Sequence, residues 1–294
     1  MKRALLAGFL FLASTLAALA DDSPVIQNCI NTGAQVPPGT YYIGTTLQIV
    51  NPVSLAWRGV VLVAQCSPCI NINEAAKAEI DYCTIVANGN IGIQVQGGNH
   101  GSAFNSIDVL SPSIGYNFLE CDTWHIQEGR ISQFSKWGVY VQNPGSPDSG
   151  DSEISSTMFS TSVSGAIGVN QISSDGLRLE NDKFLGGNVA IQLEVVPGDE
   201  GDLLVEGCSI EGQSIAGVFV IGNFQNVLIT GNEFELQIYP IYLQSVQYVT
   251  VTGNVINSPE AYGVLALFCN GVVGSNSIRA TVPTCFPGSA ITSY

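Results

Sequence analysis

One histidine, three glutamates and one arginine recur at matched places in a chain of 294 residues that carries 9 basic and 24 acidic side chains. They are His125, Glu153, Arg178, Glu180 and Glu206. When the chain is written out in its near-repeats, His125, Glu153 and Arg178 share one column, and Glu180 and Glu206 share the next. Strands stacked in parallel set such neighbours ~4.8 Å apart. Two carboxylates at that distance raise the pKa of one of them, which suits it to general acid work. Carboxylates roughly 5 to 10 Å apart are what glycoside hydrolysis requires. Elimination on a uronic acid needs instead a base at the sugar C–H and a cation to hold the carboxylate. His125 with Arg178, or Arg178 with Lys183, meets that need. The plain alternative is a solvated face on which Glu153 and Arg178 make a surface ion pair of little energetic weight.

These columns exist only if a repeat positions them. Val227 to Phe234 reads VLITGNEF and Val249 to Ile256 reads VTVTGNVI, and 256 − 234 gives a period of 22. A period in the twenties built of short β-rich runs and Gly-Asn turns is the signature of a parallel β-helix. Aligning each turn on the residue equivalent to Phe234 gives the anchors Ile85, Ile107 (with Leu110 as the alternative), Ile131, Phe159, Phe184, Ile210, Phe234, Ile256 and Ile278, nine coils in all. The longest interval holds a turn-rich stretch, Asn143-Pro144-Gly145-Ser146-Pro147-Asp148-Ser149-Gly150. Two places before each anchor lies a ladder position: Cys83, Asn105, Gly129, Thr157, Asp182, Cys208, Asn232, Asn254 and Asn276. Asparagines stacked there hydrogen-bond along the axis and tolerate a tight, often left-handed turn.

The strand before the ladder should point its alternate residues outward. The outward set is Thr123, His125 and Gln127, then Asp151, Glu153 and Ser155, then Gly176, Arg178 and Glu180, then Asp202, Leu204 and Glu206. Beyond these, Asn226, Leu228, Thr230, Tyr248, Thr250 and Thr252 carry no ionised carboxylate. A second strand in each coil is expected at Gly92–Val95, Gly138–Val141, Ala166–Val169, Ala190–Leu193, Gly217–Val220, Pro240–Leu243 and Gly263–Ala266. Its outward column holds Tyr140, Gln192, Phe219, Tyr242 and Leu265. Exposed aromatics on a flat sheet stack on sugar rings or pack against a second subunit, and both readings stand for Tyr140, Phe219 and Tyr242. Asp151 and Lys183, at the edges of the charged columns, complete the set of candidate binding residues.

At the N-terminus, Lys2 and Arg3 precede an apolar run from Ala4 to Ala20 that ends in Ala18-Leu19-Ala20. That is the pattern of a secretory signal peptide, with a membrane anchor as the alternative, so the mature chain is expected to start near Asp21 and to be exported. Residues 21–78 then form the N-terminal cap and first strands, 79–279 the regular coils, and 280–294 a tail that wraps the last rung. In the cap, Ser23-Pro24 reads as an N-cap followed by proline. Val25, Ile26, Cys29 and Ile30 recur at helical spacing, and Gly33 ends the helix. Pro37-Pro38-Gly39-Thr40-Tyr41-Tyr42 and a strand follow. This order of Asp, short helix, Pro-Pro-Gly-Thr-Tyr and strand resembles the N-terminal segment of the pectate-lyase-like superfamily of single-stranded right-handed β-helix proteins. That group includes polysaccharide lyases, glycoside hydrolases and phage tailspike depolymerases. The resemblance implies an all-β, right-handed parallel β-helix with a short N-terminal capping helix, and a polysaccharide as ligand or substrate. It transfers no catalytic residue. The polygalacturonase motifs are absent, Asn99-His100-Gly101 and Arg130-Ile131 being partial echoes, and so is the arginine motif of the calcium-dependent pectate lyases.

Composition narrows the partners. Without Lys2 and Arg3 the chain has 9 − 2 = 7 basic residues against 24 acidic ones, a net charge of −17. Such a chain repels phosphate backbones, so nucleic acid is excluded as a partner. A polyanionic sugar fits only if cations gather locally. Cys66 and Cys69 form a lone CxxC with no second pair, no metal site is expected, and no loop has calcium-ligand spacing. Cofactors are therefore none, calcium in the acidic patch being the open alternative. Cys269 with Cys285, and Cys29 with Cys66 or Cys69, are candidate disulfides, while Cys208 should be a buried free thiol. The resulting expectation is an exported protein that binds, and through Glu153, Glu180, Glu206, His125 and Arg178 cleaves, a polysaccharide. The competing expectation is a non-catalytic adhesin or binding rod, and either form is compatible with a homo-oligomer.

Overall fold

The protein, described as a computed structural model over residues 20–73, 77–97, 100–143, 152–173, 176–195 and 201–294, is a single coil of about ten turns. Every strand pairing is parallel and joins neighbouring turns. Each turn contributes three strands, so the coil has three flat faces. The first sheet contains Asp122–Gln127, Ser152–Ser155, Leu177–Glu180, Gly201–Glu206, Phe224–Thr230 and Tyr248–Thr252. The second contains Arg130–Ser132, Met158–Thr161, Lys183–Gly186, Ser209–Glu211 and Glu233–Glu235. The third contains Trp137–Asn143, Ile167–Ser173, Val189–Glu194, Ala216–Ile221 and Tyr239–Gln244.

Period-2 alternation sends one residue in two of each strand into the coil, and like residues stack on like. Ile154, Leu179, Val205, Ile229 and Val251 line the first sheet from inside, and Val139, Val169, Ile191, Val218 and Ile241 line the third, all fully buried. On the second, Ile131, Phe159, Phe184, Ile210, Phe234 and Ile256 are in register from rung to rung. The rings of Phe159 and Phe184 lie face to face, 4.6 Å apart and 8° from parallel. The third sheet begins at a column of glycines where the chain runs against its neighbours. A Cβ on Gly138 would lie 2.6 Å from the carbonyl oxygen of Gly168 and 2.7 Å from Cδ1 of Phe159.

The anchors fall in register from Ile131 to Ile278, with one correction before them. Both Ile85 and Ile131 pair with Val109, not with Ile107. The ladder place in that turn is therefore held by Ile107, and Asn105 lies on the first sheet opposite Gln127. The cause is the alternation itself: Ile107 and Val109 both point inward and are fully buried. The third sheet holds a second correction. Val139 pairs with Val169 and Tyr140 with Asn170, so the strand expected at Ala166–Val169 starts two residues later in frame. An inward glutamine, Gln171, replaces the apolar residue that would have marked the frame.

The ladder forms in the C-terminal third. Asn254 Oδ1 accepts from both Asn232 N (3.0 Å) and Asn232 Nδ2 (3.0 Å), and Asn276 Oδ1 repeats the pattern for Asn254. Each amide group also donates to main-chain carbonyls, as Asn254 does to Ile229 O and Thr252 O.

The cap helix, Ser23–Thr32, ends at Gly33 with φ 68° and has Pro24 in its first turn. Its N-cap is Asp22 rather than Ser23. Asp22 makes no side-chain capping bond and instead accepts from Tyr42 N at 2.8 Å, tying the helix to the first strand. Ile26 and Ile30 plug the coil, whereas Val25 faces solvent. At the other end, Ser277–Cys285 and Ala290–Ser293 pair as a further rung instead of wrapping the last one. No disulfide joins Cys269 to Cys285 or Cys29 to its candidates. Cys208 is buried, as expected. No helix among the described residues is long and apolar enough to cross a membrane, and residues 1–19, the expected leader, lie outside them.

Candidate functional site

The register of the first sheet builds the charged columns. His125 pairs with Glu153, Glu153 with Arg178, and Arg178 with Leu204, so three ionisable groups occupy consecutive rungs. In the next column Ser155, Glu180 and Glu206 follow one another, and Thr230 ends the charge. The inward residues between them are the β-branched and leucine stack of the core, which holds these outward groups at fixed ~4.8 Å steps.

The side chains pair differently from the expectation. His125 Nδ1 lies 3.8 Å from Glu153 Oε2, and Arg178 Nε lies 3.9 Å from Glu180 Oε1. Among the described residues no ion pair links Glu153 to Arg178. Both contacts are long and roughly half exposed, so they hold little energy and leave all four groups free to turn to a ligand. Glu206 is exposed and stands across from Glu180 in register. Asp151 lies outside the described residues. Lys183 belongs to the second sheet, opposite Met158 and Ser209, and Tyr140, Phe219 and Tyr242 belong to the third. The candidate residues thus divide over three faces, and only the His125, Glu153, Arg178, Glu180, Glu206 group is brought together.

On the third sheet, Tyr140 stacks on Trp137 with centroids 4.1 Å apart, a partner the alternation did not reveal because Trp137 opens its strand. Phe219 stacks on Tyr242 at 4.6 Å, and Tyr239 packs against both Tyr242 and Tyr262. The outward column toward the N-terminal end is made of amides. Asn71 donates to Gln48, Gln94 to Asn71, and Asn117 to Gln94.

Among the described residues the remaining cations are dispersed. Arg130 pairs with Asp108 at 2.8 Å and Lys77 with Glu79 at 3.5 Å. Arg58 lies 3.6 Å over the Tyr82 ring, and Lys136 lies 4.3 Å over Trp137. Among the described residues, no group of three or more His, Cys, Asp or Glu is arranged to hold a metal ion.

A carboxyl group beneath the charged columns was read from the sequence only as a ladder member. Asp182 is 1% exposed, and its Oδ1 accepts from Thr157 N at 2.8 Å. Its Oδ2 has no hydrogen-bond partner, although it takes the place from which ladder asparagines donate an amide hydrogen. Burial, against the Thr157 N–H and with the nearby negative Glu153 and Glu180, holds its pKa well above the ordinary carboxylate range. Cys208, one rung on, is buried as well and adds no cation. The native chain therefore keeps a proton that the unfolded chain gives up, and stability falls as pH rises from the ordinary carboxylate range through the raised native value. Asp182→Asn should remove this dependence. In thermal melts its advantage over the parent chain should be absent near pH 3, where both are neutral, and grow to roughly 1–3 kcal/mol at pH 8. An advantage that stays constant with pH would show that Asp182 is ionised in the fold.

Residues 113–278 match the family described as the right handed beta helix region, and 278 − 113 + 1 = 166 of the 294 residues is more than half. The chain belongs to the right-handed β-helix family. Of solved structures, it is similar to the A-module of the mannuronan C-5 epimerase AlgE6 of Azotobacter vinelandii. The identity there is 14%, over 93% of this chain and 96% of that one, with a TM-score of 0.48. It is also similar to the ORF18 protein of Geobacillus virus E2, at 13% identity over 93% of this chain and 57% of that one, with a TM-score of 0.28. No curated protein sequence matches the chain. At such identities no residue role is carried over.

Proposed function

We propose that this protein is exported and binds a polysaccharide lengthwise along its first sheet, cleaving it by hydrolysis. The observation that carries this reading is the register that sets Glu180 opposite Glu206 with His125, Glu153 and Arg178 in the adjoining column. Carboxylates on adjacent rungs match the ~5 Å spacing at which one acts as nucleophile and the other as acid and then base. In such a reaction Glu180 or Glu206 attacks the anomeric carbon, the partner protonates the departing glycosidic oxygen, and water then releases the sugar. His125 and Glu153 lie 3.8 Å apart one column away, and Arg178 lies 3.9 Å from Glu180, where each can turn to the bound chain. Hydrolysis is preferred over elimination because carboxylates outnumber cations on these rungs, Arg178 being the one cation among their described outward residues. A second reading, binding without cleavage, is favoured by the aromatic surface of Phe219, Tyr239, Tyr242 and Tyr262, which lies on another face from the carboxylates.

Reducing-end release and ultraviolet absorbance of unsaturated products, measured on a panel of polysaccharides, decide between them. Hydrolysis gives reducing ends without the absorbance rise. Glu180→Gln and Glu206→Gln should each lower the rate by about 10²-fold or more. Turnover that survives both substitutions sinks the site, and no product on any substrate leaves the binding reading.

A further inference from the structure

We infer that the corner between the second and third sheets at Gln213, Gln237 and Ser258 is a binding site for one unit of an uncharged sugar chain. The inference rests on the polysaccharide reading above but uses none of the residues of its first-sheet site.

The corner carries a second internal ladder. Gln213 Nε2 donates to Phe184 O (3.3 Å) and Gly186 O (3.1 Å), and Gln237 Nε2 donates to Ile210 O (2.9 Å) and Gln213 Oε1 (2.9 Å). One rung on, the place falls to a serine. Ser258 Oγ accepts from Gln237 N at 3.3 Å, but the short side chain goes no further. Two things are left behind by that truncation. Gln237, 3% exposed, keeps a buried Oε1 with no partner. Beside it opens a cavity of about 470 Å³ lined by Gln213, Ser214, Gln237, Ser258 and the apolar Leu236 and Ile238. That volume lies within the ~300–1,000 Å³ range of small-ligand sites.

The chemistry of the lining selects the ligand. The described lining residues bear no charge and offer amides, hydroxyls and apolar surface. Leu236 and Ile238 are 64% and 50% exposed, as a mouth rather than a core. Tyr239 and Tyr262, chain neighbours of lining residues Ile238 and Ala261, stack on each other with centroids 5.6 Å apart. A neutral pyranose suits this combination. Its hydroxyls donate to the orphaned Gln237 oxygen, whose unpaired state is costly in a buried setting, and its C–H face lies on the apolar surface of Leu236 and Ile238. A polyuronate gains nothing here, since no cation lines the described cavity and the chain as a whole carries a net charge of −15.

The test is binding of the full chain to soluble neutral polysaccharides (a mixed-linkage glucan, a galactomannan and a xylan) and to polygalacturonate, read by affinity electrophoresis and calorimetry. Ser258→Gln is the decisive variant, because it extends the ladder to Gln237 Oε1 and fills the cavity. It should bind at least tenfold more weakly than the parent chain while melting at a higher temperature, so that loss of binding is not loss of fold. Tyr262→Ala should weaken binding about tenfold without the gain in melting temperature. Binding to a neutral polysaccharide that both variants leave unchanged overturns the site. Binding to polygalacturonate alone overturns the ligand class while the polysaccharide reading stands. Binding to none of them overturns both. Self-association that Tyr262→Ala abolishes, with no sugar bound, reassigns the corner to a second copy of the chain.

Discussion

Truncating Phe184 to alanine should destabilise the protein by about 3–5 kcal/mol, the range for a large aromatic removed from a core that cannot collapse. Phe184 is 1% exposed, and its ring faces that of Phe159 at 4.6 Å on one side, with Ile210 in register on the other. It also packs against the third sheet, where a Cβ on Gly168 would meet its Cδ1 at 2.8 Å. The coil cannot close over the void, because the spacing of rungs is fixed by main-chain hydrogen bonds above and below. A solenoid is stabilised by contacts between neighbouring turns, so the loss falls on the Phe159 and Ile210 rungs first. Thermal melts followed by circular dichroism should show a drop on the order of 10 °C. Phe184→Leu should recover more than half of it, since a leucine refills most of the volume. A Phe184→Ala chain that melts within 2 °C of the parent would mean that these rungs do not pack as described.

Asn254→Ala comes next in size, at about 2–4 kcal/mol. Its mechanism is polar rather than volumetric. Asn254 is 1% exposed and sits between Asn232 and Asn276. Without its side chain, Asn232 loses the acceptor for both its main-chain N–H and its Nδ2, and Ile229 O loses a donor. Each buried donor left without a partner costs about 1–3 kcal/mol. Asn276→Ala should cost less, because Asn276 is half-buried and lies nearer the end of the coil. Urea unfolding of the two variants tests the order. An Asn276→Ala chain less stable than Asn254→Ala would show that the ladder does not work as a stack of buried amides.

The sequence carried the fold well where two signals coincided. Val227 to Phe234 and Val249 to Ile256 combine alternating β-rich residues with a Gly-Asn turn, and the period they set carries the frame to every anchor from Ile131 onward. Where only the alternation was present, it gave the face but not the frame. Ile107 and Val109 both point inward, so choosing between them needed a turn signal that this coil lacks. Gln171 is an inward polar residue and hid the frame of its strand in the same way.

The charged columns were legible because register is all they require. Their pairing was not, since His125 with Glu153 and Arg178 with Glu180 depends on side-chain torsions that spacing leaves open. Spacing placed the aromatic candidates on another strand but not the angle between the two faces, because a linear repeat does not say where the coil turns its corners. Asp182 was visible as a departure from the asparagine ladder, but its lone oxygen is a property of the packed rung. The cavity at Ser258 escaped for a related reason: the second ladder involves only Gln213 and Gln237, too few to register as a repeat.

The cysteines bear on how long the molecule lasts. Five of them are buried, and burial pushes the thiols of Cys83 and Cys208 up to about 12, far from the thiolate form that reacts. In the closed coil they are inert. Once a few rungs open, the same thiols return to their ordinary acidity in a chain that offers them many partners of its own kind. In an oxidising medium, disulfides formed in that moment would bar the way back. Persistence would then be governed by how rarely the coil opens, a matter of the unfolding barrier more than of equilibrium stability.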